Sequence, residues 1–549
     1  MDSFQLKDKI ALAVLFIAAF WLWTIPLQNS QMPFGEHDAA YIFAYGDEMS
    51  FRDKSFDITG DTPLSTLFWY AGYNPVLGPT GLQYPPPYNL GYALAQIFGS
   101  GRIVPPYIFV AVTCFLSVFS VYFLARKLYG FSVALVSSSA LLFSFREILM
   151  YLWGQRHNVT AYAFIPITIY FLYKYIDSYY SGEEKIKYLY IFFLLLLSTF
   201  LIHLSSTVFL AIFSIIFVLI MAVMNRKLPI SAKSLKHYGI MCIIAAIVVS
   251  PFYWIYFGPT NVETDAGIKD LGSLFLWHKL PQNKYDMNPA YTDYSSSYIN
   301  YWTIPILIFG AFVLLWRRNK EDILMMSALL TLYILFHLPA FGLIEPGNYR
   351  VGRFVVVESY FFYITMAVGL LAIPSLLPIS GKQREMSRNA IVVAAVALLI
   401  FTQGVQAYKQ LSGSYPPILR ITPAQYALSG WIEENVAEDS SVHLIGTLTY
   451  PKKAFIQVLS RRVILRSDEP PGWREIVEKD LGKFNIPSNL VKGSDMAISL
   501  DYVVFDYSDL VLIGDREKIG NFMKMEESMQ NNSTLVYNKD NIRVYKYNG

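Results

Sequence analysis

Side chains able to do acid–base and phosphate chemistry gather in a few short stretches of this chain. The first is Glu36-His37-Asp38, followed by Tyr41 and then by Asp47 and Glu48. A carboxylate held in place there can take a proton from a hydroxyl. Two acids around an imidazole could also hold a divalent cation, but ligands this close in sequence are a weak metal signal. Further on stand Arg146-Glu147, then Gly154-Gln155-Arg156-His157, then His203. A last run holds Glu345, Asn348, Tyr349, Arg350 and Arg353. Guanidinium groups grip phosphate through planar, two-pronged hydrogen bonds. Arg350 and Arg353, with Arg156 as a further candidate, are therefore read as phosphate holders. A base combined with such arginines is the equipment for moving a group from a phosphate to a hydroxyl.

Each of these residues also has a plain structural reading. Asp38 could be a solvated loop acid, and Arg350 and Arg353 could anchor at lipid head groups. His37, His203 and His278 could serve packing or interface roles. Glu358, inside an apolar run, is expected to pair with a polar neighbour. Polar and charged groups at membrane depth are nonetheless costly, and by default mark a functional site.

The elements that must position these groups are membrane helices. Of the 549 residues, 54% are hydrophobic and only 15% charged, too apolar for a soluble protein of this length. The excess lies in apolar runs of about 18 to 22 residues, each long enough to cross a bilayer. They fall near 9–27, 104–124, 131–148, 160–176, 188–203, 205–224, 237–257, 299–316, 322–339, 354–375 and 389–408, about eleven in all. The first is not a cleaved signal peptide, because Trp21, Trp23 and Pro26 stand where small residues would be needed. The net charge of +3 gives no argument for a nucleic acid partner. The two cysteines, Cys114 and Cys242, both lie in apolar runs, so no structural disulfide or cysteine metal site is expected.

The segment 85–98 is short and opens with prolines, so it is read as an interfacial or re-entrant helix. Basic clusters at Lys7/Lys9, Arg126/Lys127, Lys174/Lys185/Lys187, Arg226/Lys227, Arg317/Arg318 and Lys382/Arg384 then fall on one side. The positive-inside rule puts that side and the N-terminus in the cytoplasm, and loop 28–84 outside. Residues 1–410 thus form the membrane domain. From 411 the composition changes to that of a soluble domain, placed outside. Strands are expected at 441–446, 500–505, 533–537 and 542–547, with helices near 422–435, 472–481 and 513–529. The glycosylation sequons at Asn158, Asn531 and Asn532 are short patterns of little weight.

Three local patterns, in order, resemble the GT-C superfamily of polytopic glycosyltransferases, which use polyprenyl-phosphate sugars. His37-Asp38-Ala39-Ala40-Tyr41 is similar to the Asp-Glu-x-x-Tyr motif that follows the first span in protein mannosyltransferases and aminoarabinose transferases. Tyr84-Pro85-Pro86-Pro87-Tyr88 resembles their Lys/Tyr-Pro-Pro-Leu-Tyr helix opening. Ala125-Arg126-Lys127-Leu128-Tyr129-Gly130 resembles their Ala-Arg-Arg-Leu-Phe-Gly turn. Trp153-Gly154-Gln155 is similar to archaeal members of uncertain substrate.

The resemblance covers roughly residues 1–410. It implies a GT-C-like, polytopic α-helical membrane protein with a small extracytoplasmic α/β domain at its C-terminus. It implies Asp38 as the base, with Glu36, His37 and Tyr41 around the acceptor or a metal. Apart from the resemblance, Tyr84, His157, His203, Glu345 and Tyr349 are read from the gathering of polar groups on one side as further cavity candidates. The implied partners are a polyprenyl-phosphate-linked sugar, membrane lipids, and a glycan, lipid or protein acceptor, with no tightly bound cofactor. The location would be a plasma or other cell membrane, crossed many times. The chain departs from the pattern in two places. Ala39 stands for the second acid, and Tyr84 for the lysine. The Trp-Trp-Asp-x-Gly signature of oligosaccharyltransferases is missing from the tail. A transporter of lipid-linked saccharide and a non-catalytic GT-C-like assembly subunit are the rival readings. The first predicts related halves and midplane sites, which the sequence does not display. The second predicts that Asp38 is dispensable.

Overall fold

The computed structural model describes residues 5–35, 39, 40, 42, 43, 46, 47, 87–99, 101–249, 303–337, 354–414, 420–437, 440, 442–445, 450–460, 462, 464–466, 501–514, 516–530 and 533–548. The chain divides into two compact units. One comprises Met1–Ile25, Val110–Tyr151 and Arg156–Ser412. The other comprises Pro26–Phe109, Leu152–Gln155 and Gly413–Gly549.

Helices fall on every predicted span. They are α1 (Leu6–Asn29), α3 (Val104–Tyr129), the pair α4 (Phe131–Leu142) and α5 (Phe145–Trp153), and the pair α6 (Arg156–Ala163) and α7 (Ile165–Tyr180). Then come α8 (Ile186–Ile202), α9 (Leu204–Asn225), α10 (Ala232–Val249), α11 (Ile304–Arg317), α12 (Lys320–His337), α13 (Val355–Leu376) and α14 (Gly381–Gly413). Among the described residues, five helices are long and apolar enough to cross a membrane, or six if α4 and α5 count as one bent span. The α4–α5 pair bends by 41°. The last turn of α4 closes on the Ser144 N–H, which donates to the Leu141 carbonyl at 3.0 Å, and α5 starts in a new direction. Broken helices at membrane depth survive where protein, not lipid, surrounds the break. Here Leu141, Leu142 and Ser144 are buried.

Polar anchors fix the first unit where apolar packing alone would leave register undetermined. Asp8 in α1 is fully buried and accepts from Arg126 Nε at 2.6 Å and from the Tyr122 hydroxyl at 2.9 Å, both on α3. The Trp23 indole donates to the Leu142 carbonyl at 3.4 Å, and the Tyr151 hydroxyl to the Trp23 carbonyl at 3.0 Å. α11 and α13 cross at glycine. A Cβ on Gly310 would stand 2.1 Å from the Thr365 carbonyl oxygen, and one on Gly369 would stand 2.7 Å from the Gly310 Cα. Small residues allow such backbone approach between membrane helices. Near the basic helix ends, Lys174 and Lys320 both pair with Asp177, at 3.2 and 2.8 Å, and Arg317 pairs with Asp322 at 2.6 Å.

In the second unit, α2 (Pro87–Gly99) is the predicted proline-led helix. At 13 residues it is about 20 Å long, short of the ~30 Å needed to span a bilayer. The tail folds as a five-stranded sheet of order β2-β1-β3-β5-β4. Its strands are β1 (Val442–Ile445), β2 (Ile464–Arg466), β3 (Tyr502–Asp506), β4 (Ser533–Lys539) and β5 (Ile542–Tyr547). β1 pairs in parallel with β2 and β3, and β5 runs antiparallel to β3 and β4. The helices are α15 (Pro423–Asn435), α16 (Tyr450–Ser460), α17 (Ser508–Ile513) and α18 (Arg516–Met529). α15 starts with Thr422 and Gln425 capping each other's backbone and Pro423 at the first turn, as its sequence requires.

The four predicted strands and two of the three predicted helices are present. The helix expected at 472–481 lies outside the described residues. α16, α17 and β2 were not anticipated. The second unit takes in residues 26–109 and 152–155 besides the tail from Gly413.

Candidate active site

Asp38 itself, with Glu36, His37, Tyr41, Tyr84, Glu345, Tyr349, Arg350 and Arg353, lies outside the described residues. The chain on either side of Asp38 is described, and it is held at both flanks. Upstream, the Phe34 N–H donates to the Tyr107 hydroxyl at 3.1 Å, and that hydroxyl donates to the Phe34 carbonyl at 3.0 Å. The two ring centres lie 4.8 Å apart, the planes tilted by 52°. Phe34 also forms an antiparallel β-bridge to Arg420, whose guanidinium lies 5.4 Å from the Phe34 ring centre. The Ile421 N–H donates to the Pro33 carbonyl at 3.2 Å.

Downstream, the described residues of 39–47 are helical. Ala39 is fully buried against the turn at Gly154. Gly154 has φ +98°, and a Cβ there would meet the Ala39 Cβ at 2.5 Å and its N at 2.9 Å. Ala39 stands where the GT-C motif has its second acid. In this chain the position is occupied by packing, and a longer side chain would have to displace the 152–155 turn. Phe43 meets Tyr92 edge to face at 6.1 Å, and a Cβ on Gly46 would touch the same tyrosine ring at 2.3 Å.

Asp47 receives both prongs of Arg102. Nε donates to Oδ1 at 2.8 Å and Nη2 to Oδ2 at 2.7 Å, with the Asp47 side chain 5% exposed. Sequence reasoning noted Asp47 but missed Arg102, because nothing local in Gly99-Ser100-Gly101-Arg102 distinguishes that arginine from a solvated loop residue.

The remaining candidates sit in the first unit. Arg156 and His157 open α6 and are buried, not loop-exposed as helix-end residues often are. His203 caps α9, its Nδ1 accepting from the Ser205 N–H at 3.2 Å. Ser205 Oγ lies 2.6 Å from the same nitrogen and 2.8 Å from the Tyr162 hydroxyl. A chain His203–Ser205–Tyr162 thus links α9 to α6. This bonding explains His203 structurally without any ligand.

Glu147 on α5 is fully buried, and among the described residues neither of its carboxylate oxygens, nor the hydroxyl of buried Tyr360 on α13, is placed in a hydrogen bond. Such a group is expensive and makes Glu147, noted in sequence beside Arg146, a candidate site residue. Among the described residues, no group of three or more His, Cys, Asp or Glu side chains is placed to hold a metal.

Comparison with known proteins agrees with this architecture. The family described as dolichyl-phosphate-mannose-protein mannosyltransferase matches residues 87–255. ArnT from Cupriavidus metallidurans in the apo state superposes with a TM-score of 0.53 at 10% identity, covering 97% of each chain. The same protein bound to undecaprenyl phosphate gives 0.49 at 11% identity, again covering 97% of each chain. The archaeal oligosaccharyltransferase AglB from Archaeoglobus fulgidus, in complex with an inhibitory peptide and a dolichol-phosphate, gives 0.42 at 13%, covering 91% of this chain and 70% of that one. No curated protein matches the chain. The chain shares the fold of the apo ArnT structure, with a small C-terminal sheet domain.

Proposed function

We propose that this protein is an inverting glycosyltransferase that moves a sugar from a polyprenyl-phosphate donor to an acceptor hydroxyl at the outer face of the membrane. The observation that carries the reading is the fixing of both flanks of Asp38: Phe34 by Tyr107 and Arg420, and Ala39 by Gly154. A solvated loop acid has no use for such anchoring, whereas a base must be held in a productive geometry. The match to the mannosyltransferase family supports the class of donor.

In this reading the acceptor oxygen attacks the anomeric carbon. A new carbon–oxygen bond forms as the bond to phosphate breaks, its electron pair leaving on the phosphate oxygen. Asp38 takes the acceptor proton. Arg350 and Arg353, with Arg156 as a further candidate, offset the charge on the departing polyprenyl phosphate. His37, Glu36 and Tyr41 orient the acceptor. The sugar is a hexose or pentose, the basic helix ends face the cytoplasm, and the tail domain lies outside.

The test is transfer of label from a panel of polyprenyl-phosphate sugars by membranes holding equal amounts of wild type and Asp38→Asn. The substitution keeps size but removes the base. A loss of about a hundredfold or more is expected, the low end of general-base contributions. Equal activity in both would remove Asp38 from the mechanism. Absence of transfer from every donor would favour a non-catalytic assembly subunit.

A further inference from the structure

Arg102 makes more bonds than a surface ion pair needs. Besides its two prongs on Asp47, it donates from Nη1 to the Leu459 carbonyl at 3.3 Å and from Nη2 to the Val458 carbonyl at 3.4 Å. Those carbonyls belong to the last turn of α16, where a helix has no internal donors left and its dipole is negative. Glu433 of α15 lies 3.8 Å from Nη1. The guanidinium also stands 5.9 Å from the centre of the Phe43 ring, which meets Phe455 of α16 at 6.2 Å. Gln96 of α2 completes the arrangement, donating to the Arg102 carbonyl at 2.8 Å and reaching Asp47 at 3.5 Å. One side chain thus joins the segment that follows Asp38 to two helices of the tail domain.

We propose that Arg102 is a positioning residue through which the C-terminal domain holds the helical residues of 39–47, next in sequence to Asp38, so that the domain acts on the transfer step without contributing a reacting group. The geometry favours this over a merely stabilising bridge. The fork is planar and each prong is committed, a set of contacts lysine cannot reproduce. Asp47 is one of the described helical residues of 39–47, and Ala39 is next in sequence to Asp38. Releasing it frees the downstream flank while the Tyr107 and Arg420 anchors upstream stay in place. The proposal rests on Asp38 being the base only for its catalytic arm.

The test uses the full chain in nanodiscs, comparing wild type with Arg102→Ala, Arg102→Lys and Asp47→Asn. Hydrogen exchange is read on peptides covering 39–47, on α16, and on β3 with β5 as the reference for the domain's own stability. Exchange in 39–47 is expected to rise at least tenfold in Arg102→Ala and Asp47→Asn, with β3 and β5 unchanged and Arg102→Lys in between. Sugar transfer is expected to lose about ten- to a hundredfold in kcat with little change in donor KM, as a misplaced base would give, with partial rescue by lysine. Unchanged exchange in 39–47 would overturn the proposal. So would a uniform rise across β3 and β5, which marks a structural role alone. If wild type transfers no sugar, the transferase reading fails, and the exchange arm still decides whether the domain holds the loop.

Discussion

Gly154 and Ala39 meet backbone to backbone: a methyl group on Gly154 would stand 2.5 Å from the Ala39 Cβ and 3.1 Å from its Cα. Gly154 also sits at φ +98°, where an L side chain is strained. The turn that opens α6 is therefore a wall behind the residue next to Asp38.

Replacing Gly154 by alanine should cost about 1–3 kcal/mol from overpacking, besides the backbone strain, and should depress sugar transfer more than it depresses folding. Adding Ala39→Gly removes one of the two clashing methyls and should recover part of both. Thermal unfolding of the purified chain and transfer by the same preparation measure the two effects. A Gly154→Ala protein as stable and active as wild type would show that the approach is loose.

The α11–α13 crossing makes a second prediction. Gly310 and Gly369 each leave no room for a Cβ against the other helix. Leucine at either position should force the helices apart and lower the unfolding temperature by several degrees, a change on the order of 1–3 kcal/mol. The two substitutions should be less than additive when combined, because either alone already opens the contact. Full additivity would mean that the two glycines pack independently.

Glu526 of α18 supplies the pH dependence of the tail domain. Burial raises its pKa, but hydrogen bonds from Tyr545 at 2.6 Å, Arg543 at 2.8 Å and Tyr507 at 2.7 Å outweigh burial and hold the carboxyl below its ordinary value. An acid whose folded pKa is depressed stabilises the fold above its unfolded pKa, about 4.3 for glutamate. That contribution is lost as pH falls through the lower, folded value. Amides of β5 should therefore lose exchange protection on acidification below about pH 4, and Glu526→Gln should flatten that dependence while lowering protection at neutral pH. A Gln variant with the wild-type acid profile would assign the effect to another group.

The spans were legible because an apolar run long enough to cross a bilayer announces itself in composition alone. The break between Leu142 and Phe145 was not, since Phe143 and Ser144 carry no proline or glycine to mark it. In the tail, β4 and β5 alternate or run in β-branched and aromatic residues, and were readable. β2 has three residues, Ile464–Arg466, too few for any pattern. α16 opens Tyr450-Pro451-Lys452-Lys453, and its two lysines hide a buried face. Lys452 is in fact fully buried and ion-paired with Asp509.

The candidate site was legible only as a list of residue types. Asp47 and Arg102 are separated by 55 positions, and Arg102 and the Val458 carbonyl by 356. No local pattern carries such a pairing. Ala39 looked like a lost acid in sequence and proves to be a contact that needs a small residue.

The bridge between Phe34 and Arg420 bears on how the protein is made. Phe34 is translated well before its strand partner Arg420, with helices α2 to α14 made in between. The chain beside Asp38 thus waits for its partner strand while those helices are made. If Asp38 is the base, an incomplete chain inserted in the membrane has no finished site, and donor sugar present at the translocation machinery is not spent on it. Sugar transfer would switch on only when synthesis has passed residue 421.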